Sequence, residues 1–194
     1  MTWAVVLAAG ASTRMAGAGP KALLRVPDGR TFVQAIADTA RAAGVAGVVV
    51  VIGPPHAELI RSALPAGAMT ALNPQPERGM LSSVQAGLAA LSPDASAALV
   101  WPVDIPSVQA ATVRALLLAT PGRVVLPRHA ERGGHPLRIP AARFAEVHAL
   151  DPARGLKALI EASPDDVLRL EVDDPGVLVD VDTPADLARL DSLR

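Results

Sequence analysis

The sequence predicts an α/β domain: a doubly wound, mostly parallel sheet with one antiparallel strand, helices on both faces, and one domain over residues 1–194. Three observations carry that expectation. Apolar runs dense in β-branched residues, Gly47–Ile52 (GVVVVI) being the clearest, lack the alternation of a half-exposed strand and so need cover on both faces. Amphipathic stretches separate these runs, the order expected of a crossover-connected parallel sheet. Beyond about residue 127 the rhythm changes, and a short polar-flanked strand at His135–Ile139 supplies the antiparallel element.

The elements follow in order along the chain. Trp3–Ala8 reads as a buried strand, followed by a long loop and a helix from Thr31 to Ala43 that Gly44 ends. The strand Gly47–Ile52 leads to a helix at His56–Leu64 and a short strand at Met69–Leu72. Helical spacing returns at Met80–Leu91, then a strand at Ala97–Val103, a helix at Val108–Ala119 and a strand at Arg123–Leu126. After His135–Ile139, helices are expected at Ala141–Leu150 and Gly155–Ala162, and Val167–Val172 alternates like a half-exposed strand. Val177–Val181 reads as a last apolar strand. The final helix carries its own start signal: Thr183 as N-cap, Pro184 at the first helical position and Asp186 at the third.

Composition narrows the function. With 51% hydrophobic and 19% charged residues the chain is globular, and 194 residues suffice for one substantial core. A net charge of −1 gives no electrostatic footprint for nucleic acid or an acidic membrane surface. The absence of cysteine excludes disulfides, thiolate metal sites and a cysteine nucleophile. No basic leader with a cleavage site precedes the first strand, and no apolar stretch approaches the roughly 20 residues needed to span a bilayer. The expected location is cytoplasmic.

The most informative segment is Val5-Val6-Leu7-Ala8-Ala9-Gly10-Ala11-Ser12-Thr13-Arg14-Met15, closed by Gly17-Ala18-Gly19-Pro20-Lys21. Small residues let backbone N–H groups approach an anion, and two cations follow in the same loop, which suits a polyphosphate. A P-loop needs a hydroxyl after the lysine, yet Ala22 follows Lys21. A dinucleotide fingerprint needs an acidic residue beyond the second strand, which instead ends Val51-Ile52-Gly53-Pro54-Pro55. Lys21 is one of only two lysines beside sixteen arginines, and Asn73 is the sole asparagine, which raises both as site candidates.

Further motifs sit at expected strand ends. Trp101-Pro102-Val103-Asp104-Ile105-Pro106 places a carboxylate at the tip of a parallel strand, where open α/β sheets bind ligands and where it could hold Mg²⁺ against phosphates. The alternative for Asp104 is a turn residue before proline. In Val179-Asp180-Val181-Asp182-Thr183-Pro184, alternation puts Asp180 and Asp182 on one side of a strand. Asp182, nearer the tip, is the better second metal ligand, with helix capping as the alternative and Asp180 as an orienting group. Asn73-Pro74-Gln75-Pro76-Glu77-Arg78-Gly79-Met80-Leu81-Ser82-Ser83 runs from a strand end into a helix N-terminus, with ordinary turn and capping chemistry as the alternative to a nucleoside contact. Gly133-Gly134-His135-Pro136 presents a histidine in an irregular loop facing a cavity, with a solvated or hydrogen-bonded loop histidine as the alternative. The other histidines show no ligand-like spacing.

The stretch from Leu7 to Lys21 resembles the MobA-like NTP transferase family, and its Ala8-Ala9-Gly10 resembles the molybdenum cofactor cytidylyltransferase branch. Ala16 stands between Met15 and Gly17, which makes this loop one residue longer than the usual family pattern. The remaining motifs follow in the family's order, with Ile105 and Asp151–Leu159 as departures. The resemblance implies a Rossmann-like fold of the nucleotide-diphospho-sugar transferase type. It also implies nucleotide contacts from Leu7, Ala8, Ala9, Gly10, Ser12, Arg14, Lys21, Asn73 and Ser83, with His135 near the acceptor. Arg14, Lys21 and Asp104 would be catalytic, and Asp104 and Asp182 would hold Mg²⁺. The implied reaction moves NMP from an NTP, with CTP favoured, to a small phosphate-bearing acceptor such as molybdopterin, releasing pyrophosphate. The product's protein partner would be a molybdoenzyme or its chaperone. A noncatalytic nucleotide-binding or regulatory domain and, with less support, an NAD(P)-dependent oxidoreductase remain as alternatives.

Overall fold

The computed structural model describes residues 1–10 and 19–190. Four strands form a parallel half-sheet: β1 (Thr2–Leu7), β2 (Val48–Ile52), β3 (Ala68–Leu72) and β4 (Ala97–Pro102). The second half adds β5 (Val124–His129), β6 (Arg132–Gly133), β7 (Leu137–Pro140) and β8 (Val167–Glu171). The strand order is β3-β2-β1-β4-β7-β5-β6, with β8 pairing in parallel to β5. β7 runs antiparallel to both β4 and β5, as the polar-flanked segment predicted. The two-residue hairpin partner β6 was not foreseen, since two residues carry no periodicity.

Alternation along β1 explains the two cores. Ala4 and Val6 face one cluster with Phe32 and Ile36 of α1 (Phe32–Ala43) and Val113 and Leu116 of α4 (Ala110–Leu118). Val5 and Leu7 face the other, with Leu81 and Val84 of α3 (Met80–Ala89), which lies beyond α2 (Ala57–Ser62). That second layer also holds Val147 of α5 (Phe144–Ala149) and Leu159 of α6 (Lys157–Ala162). Each fully buried Val, Leu, Ile or Phe side chain contributes about 1.5–3 kcal/mol, so every residue of β2, buried throughout, adds to one side or the other. Among the described residues no helix is long and apolar enough to cross a membrane.

Local signals set the helix ends. Thr31 and Gln34 form a reciprocal capping box on α1, and Gly44 closes the helix at φ 99°. Thr183 and Asp186 form the same device on α7 (Pro184–Arg189). One expectation is corrected. Val177–Val181 is not a strand: Pro175–Leu178 is a 3₁₀ turn, followed by extended chain without a ladder. The cause is tertiary, because this segment bonds to loops instead of a strand, through His135 N–H to Val177 O at 2.9 Å and Val181 N–H to Asp104 O at 2.9 Å.

Candidate active site

The C-terminal tips of β1 and β4 open onto a cavity of about 300 Å³. Leu7, Ala8, Ala9 and Gly10 form one wall, and Pro102, Val103 and Asp104 another. The tips are tied together, with Val103 N–H donating to Leu7 O at 3.2 Å and Ala8 N–H to Val51 O at 2.8 Å. Trp101, wholly buried, donates its indole N–H to Ile105 O at 2.8 Å. That bond fixes the turn that presents Asp104.

Lys21 enters on a short 3₁₀ helix, Lys21–Leu23, anchored by buried Pro20 and Ala22. Its ammonium donates to Asp104 Oδ2 at 3.0 Å and also to Asp182 Oδ1. The three side chains are 12%, 26% and 32% exposed, so the pairings are only partly screened by solvent. Burial works against the charged lysine, but the hydrogen bonds with Asp182 and Asp104 outweigh it and hold the pKa above its ordinary value.

Asp180 completes the acidic group. One oxygen each from Asp104, Asp180 and Asp182 lie within 4.8 Å of one another. Partial loss of solvent, then the charges of Asp104 and Asp182, push the Asp180 carboxyl up to about 6, with Lys21 pulling the other way. Three hard oxygen donors this close together suit a divalent ion of the Mg²⁺ class. The sequence marked Asp180 as an orienting group; the fold places it beside the other two although no strand alternation carries it there.

On the far side, Ser83, Met80 and Pro76 line the cavity. Asn73 does not. Its buried amide donates to Ser82 Oγ at 2.8 Å and Ser83 Oγ at 2.9 Å, and its carbonyl accepts from Gln75 N–H at 3.0 Å. The only asparagine therefore holds the entry of α3 in place, and Ser83 is the residue that meets the cavity. Gly53 lets the chain pass here, since a Cβ would stand 2.7 Å from Asn73 O and 3.1 Å from the Ala9 methyl.

His135 departs from its expected setting. It is not part of the cavity wall, is largely buried, and its Nδ1 has no hydrogen-bond partner among the described residues. Burial pushes its pKa down against the opposing pull of Asp104 and the Val100 backbone. The loop expected to present Ser12 and Arg14 lies outside the described residues. Sequence reasoning also missed Asp174, a buried carboxylate that accepts from Gln109 N–H, Thr112 Oγ1 and Gly176 N–H, and so ties α4 to the segment leading to Asp180. Nothing local distinguishes Asp174 from its exposed neighbour Asp173.

Comparison with known proteins agrees with this architecture. Residues 4–167 match the MobA-like NTP transferase domain. Nicotine blue oxidoreductase of Paenarthrobacter nicotinovorans is 33% identical over 96% of this chain and 94% of its own. The crystal structure of Rv0371c from Mycobacterium tuberculosis H37Rv is 32% identical with a TM-score of 0.85, covering 97% of this chain and 96% of that one. A manganese complex of Rv0371c is 30% identical with a TM-score of 0.79, each chain covered to 97%. A nucleotidyl transferase from Methanothermobacter thermautotroptrophicus is 25% identical with a TM-score of 0.83, covering 98% of this chain and 95% of the other.

Proposed function

The chain belongs to the MobA-like NTP transferase family, and on that premise we propose that it is a Mg²⁺-dependent nucleotidyltransferase. It would transfer NMP from an NTP, CTP by preference, to a small phosphate-bearing acceptor of the molybdopterin kind. The observation that carries this reading is the meeting of Lys21 with Asp104 and Asp182 in the cavity at the tips of β1 and β4.

In this reaction a phosphate oxygen of the acceptor forms a bond to the α-phosphorus. The bond from that phosphorus to the bridging oxygen breaks, and the electron pair leaves on pyrophosphate. A phosphomonoester has a second pKa of about 6, so its nucleophilic oxygen is already anionic near neutral pH and needs no general base. That fits a cavity whose described walls carry no histidine.

The chain's own residues do the positioning. Ala8, Ala9 and Gly10, with Ser12 from the same loop, bring hydrogen-bond donors close to the phosphates, and Lys21 and Arg14 neutralise charge on them. Ser83 at the N-terminal turn of α3 offers a hydroxyl to the nucleoside, held in register by Asn73. Asp104, Asp180 and Asp182 would hold Mg²⁺, which when bound neutralises phosphate charge and favours an in-line approach. That a neighbour, Rv0371c, forms a complex with manganese supports a divalent ion as cofactor. The CTP preference draws on the Ala8-Ala9-Gly10 resemblance, with the Ala9 methyl in the cavity wall narrowing the space for a base. A molybdoenzyme or its chaperone as recipient belongs to the same proposal.

The test is pyrophosphate release from each of the four NTPs with Mg²⁺ and candidate acceptors. CTP with molybdopterin should give the highest rate; no release from any NTP would refute the reading. The name of the Paenarthrobacter relative motivates a second one, a nicotinamide-dependent oxidoreductase. The tip of β2 offers Gly53 and Pro54 where a ribose carboxylate would stand, which weighs against it. Titration with NADPH separates the two, and absence of binding is expected.

A further inference from the structure

Lys21 does more in this structure than wait for phosphate. Its ammonium lies between the carboxylates of Asp104 and Asp182, bonded to both, on a side chain only 12% exposed. An ion of Mg²⁺ size binds oxygens at about 2.0–2.1 Å and would draw on the same lone pairs. Two cations cannot share those oxygens without strong mutual repulsion. The backbone of the lysine is fixed between buried Pro20 and Ala22, so exchange is confined to its flexible four-carbon stem.

We propose that Lys21 is a displaceable counter-ion that keeps the Asp104–Asp180–Asp182 group closed to a divalent cation until a polyphosphate draws the ammonium away. The inference rests on the carboxylate group being the metal site. It adds that the free protein binds the ion weakly by construction. Metal and nucleotide then enter as a coupled pair, each raising affinity for the other. Ala8, Ala9 and Gly10 line the same cavity, so the phosphates they receive are the natural alternative partner for the lysine.

The test is Mn²⁺ binding to the full chain without nucleotide, followed by the loss of the free-ion electron paramagnetic resonance signal. Lys21→Met should bind Mn²⁺ about tenfold more tightly than the parent protein, and Lys21→Gln likewise. Lys21→Gln keeps hydrogen-bond donors and carries the comparison if Lys21→Met fails to fold. Adding Asp104→Asn to either variant should abolish the gain. Equal or weaker binding in both lysine variants, with Asp104→Asn still losing the ion, overturns the inference and leaves the metal site standing. A gain that survives Asp104→Asn overturns it too, since the ion would then sit elsewhere. Absence of Mn²⁺ binding by every protein overturns the metal site and the inference together.

Discussion

Strands β1, β2 and β4 are buried over almost their whole length, whereas β8 alternates between buried and exposed residues and the chain after it forms no ladder. The parallel half builds the cavity's fixed walls from strand tips that interlock by backbone hydrogen bonds. The other half reaches the cavity through a strap, residues 174–183, which begins in a 3₁₀ turn and brings Asp182 to the cavity wall with Asp180 beside it. The strap is seated by Val181 N–H on Asp104 O, by His135 N–H on Val177 O, and by the Asp174 carboxylate under α4. A site assembled this way takes its position from a stiff sheet and its charge balance from a segment held by a few bonds.

Changes can separate those two contributions. The largest effect should come from Asp104→Asn, which touches both halves: it removes a proposed metal ligand and a partner of Lys21. We expect turnover to fall by on the order of 10²–10³, measured as Mg²⁺-dependent pyrophosphate release, with the fold intact by circular dichroism. Parental rates would detach the carboxylate group from the chemistry. Next comes Gly87→Ala in the parallel half. Its Cβ would lie 2.3 Å from Val5 Cγ1 and 2.8 Å from Val51 Cγ2, so α3 must lift from the sheet. The cost should be about 1–3 kcal/mol of global stability by denaturant titration.

Gly134→Ala is the matching change at the strap, with a Cβ placed 2.4 Å from Val177 O. If the strap is the softer region, this variant should lose Mn²⁺ affinity and turnover while losing less stability than Gly87→Ala. The reverse ranking would show the strap to be integral to the core. Thr183→Ala removes one arm of the capping box on α7 and should lower stability by about 1 kcal/mol, read as a shift in the urea midpoint.

The smallest effect is a pH signature in the metal-free protein, with opposite signs at His135, which bonds to the strap, and at Asp180 within it. The folded pKa of His135 is lowered from 6.5, so the unfolded chain takes up the proton first as pH falls. Its contribution is complete above about 6.5 and declines below it, and His135→Gln should flatten that decline. The folded pKa of Asp180 is raised from 3.8 to about 6, so stability is lost as pH rises through that interval. Asp180→Asn should remove this loss. A denaturation series from pH 4 to 7 that shows no change of slope in either variant would contradict both assignments.

Much of the parallel half could be read directly, because its signals are local and repeated. The GVVVVI run became β2 and Thr31 and Gly44 bounded α1; outside that half, Thr183 with Asp186 capped α7 by an equally local signal. The strap was misread as a strand because Val177–Val181 is apolar in the same way, yet its hydrogen bonds go to loops distant in sequence. Asn73 stands at a strand end before a helix, a place that suits a nucleoside contact or turn and capping chemistry alike, and only its hydrogen bonds to Ser82 and Ser83 show it bracing the helix entry.

Periodicity, capping residues and the ordered motifs from Leu7 to Thr183 set the α/β class, the family and most of the residues around the cavity, because each depends on neighbours close along the chain. The pairing of Lys21 with two aspartates, the arrival of Asp180 beside them and the burial of His135 and Asp174 belong to the tertiary structure alone. Those features arise from hydrogen bonds and desolvation between segments as many as 161 positions apart, and no local pattern encodes which of two similar carboxylates meets a distant partner.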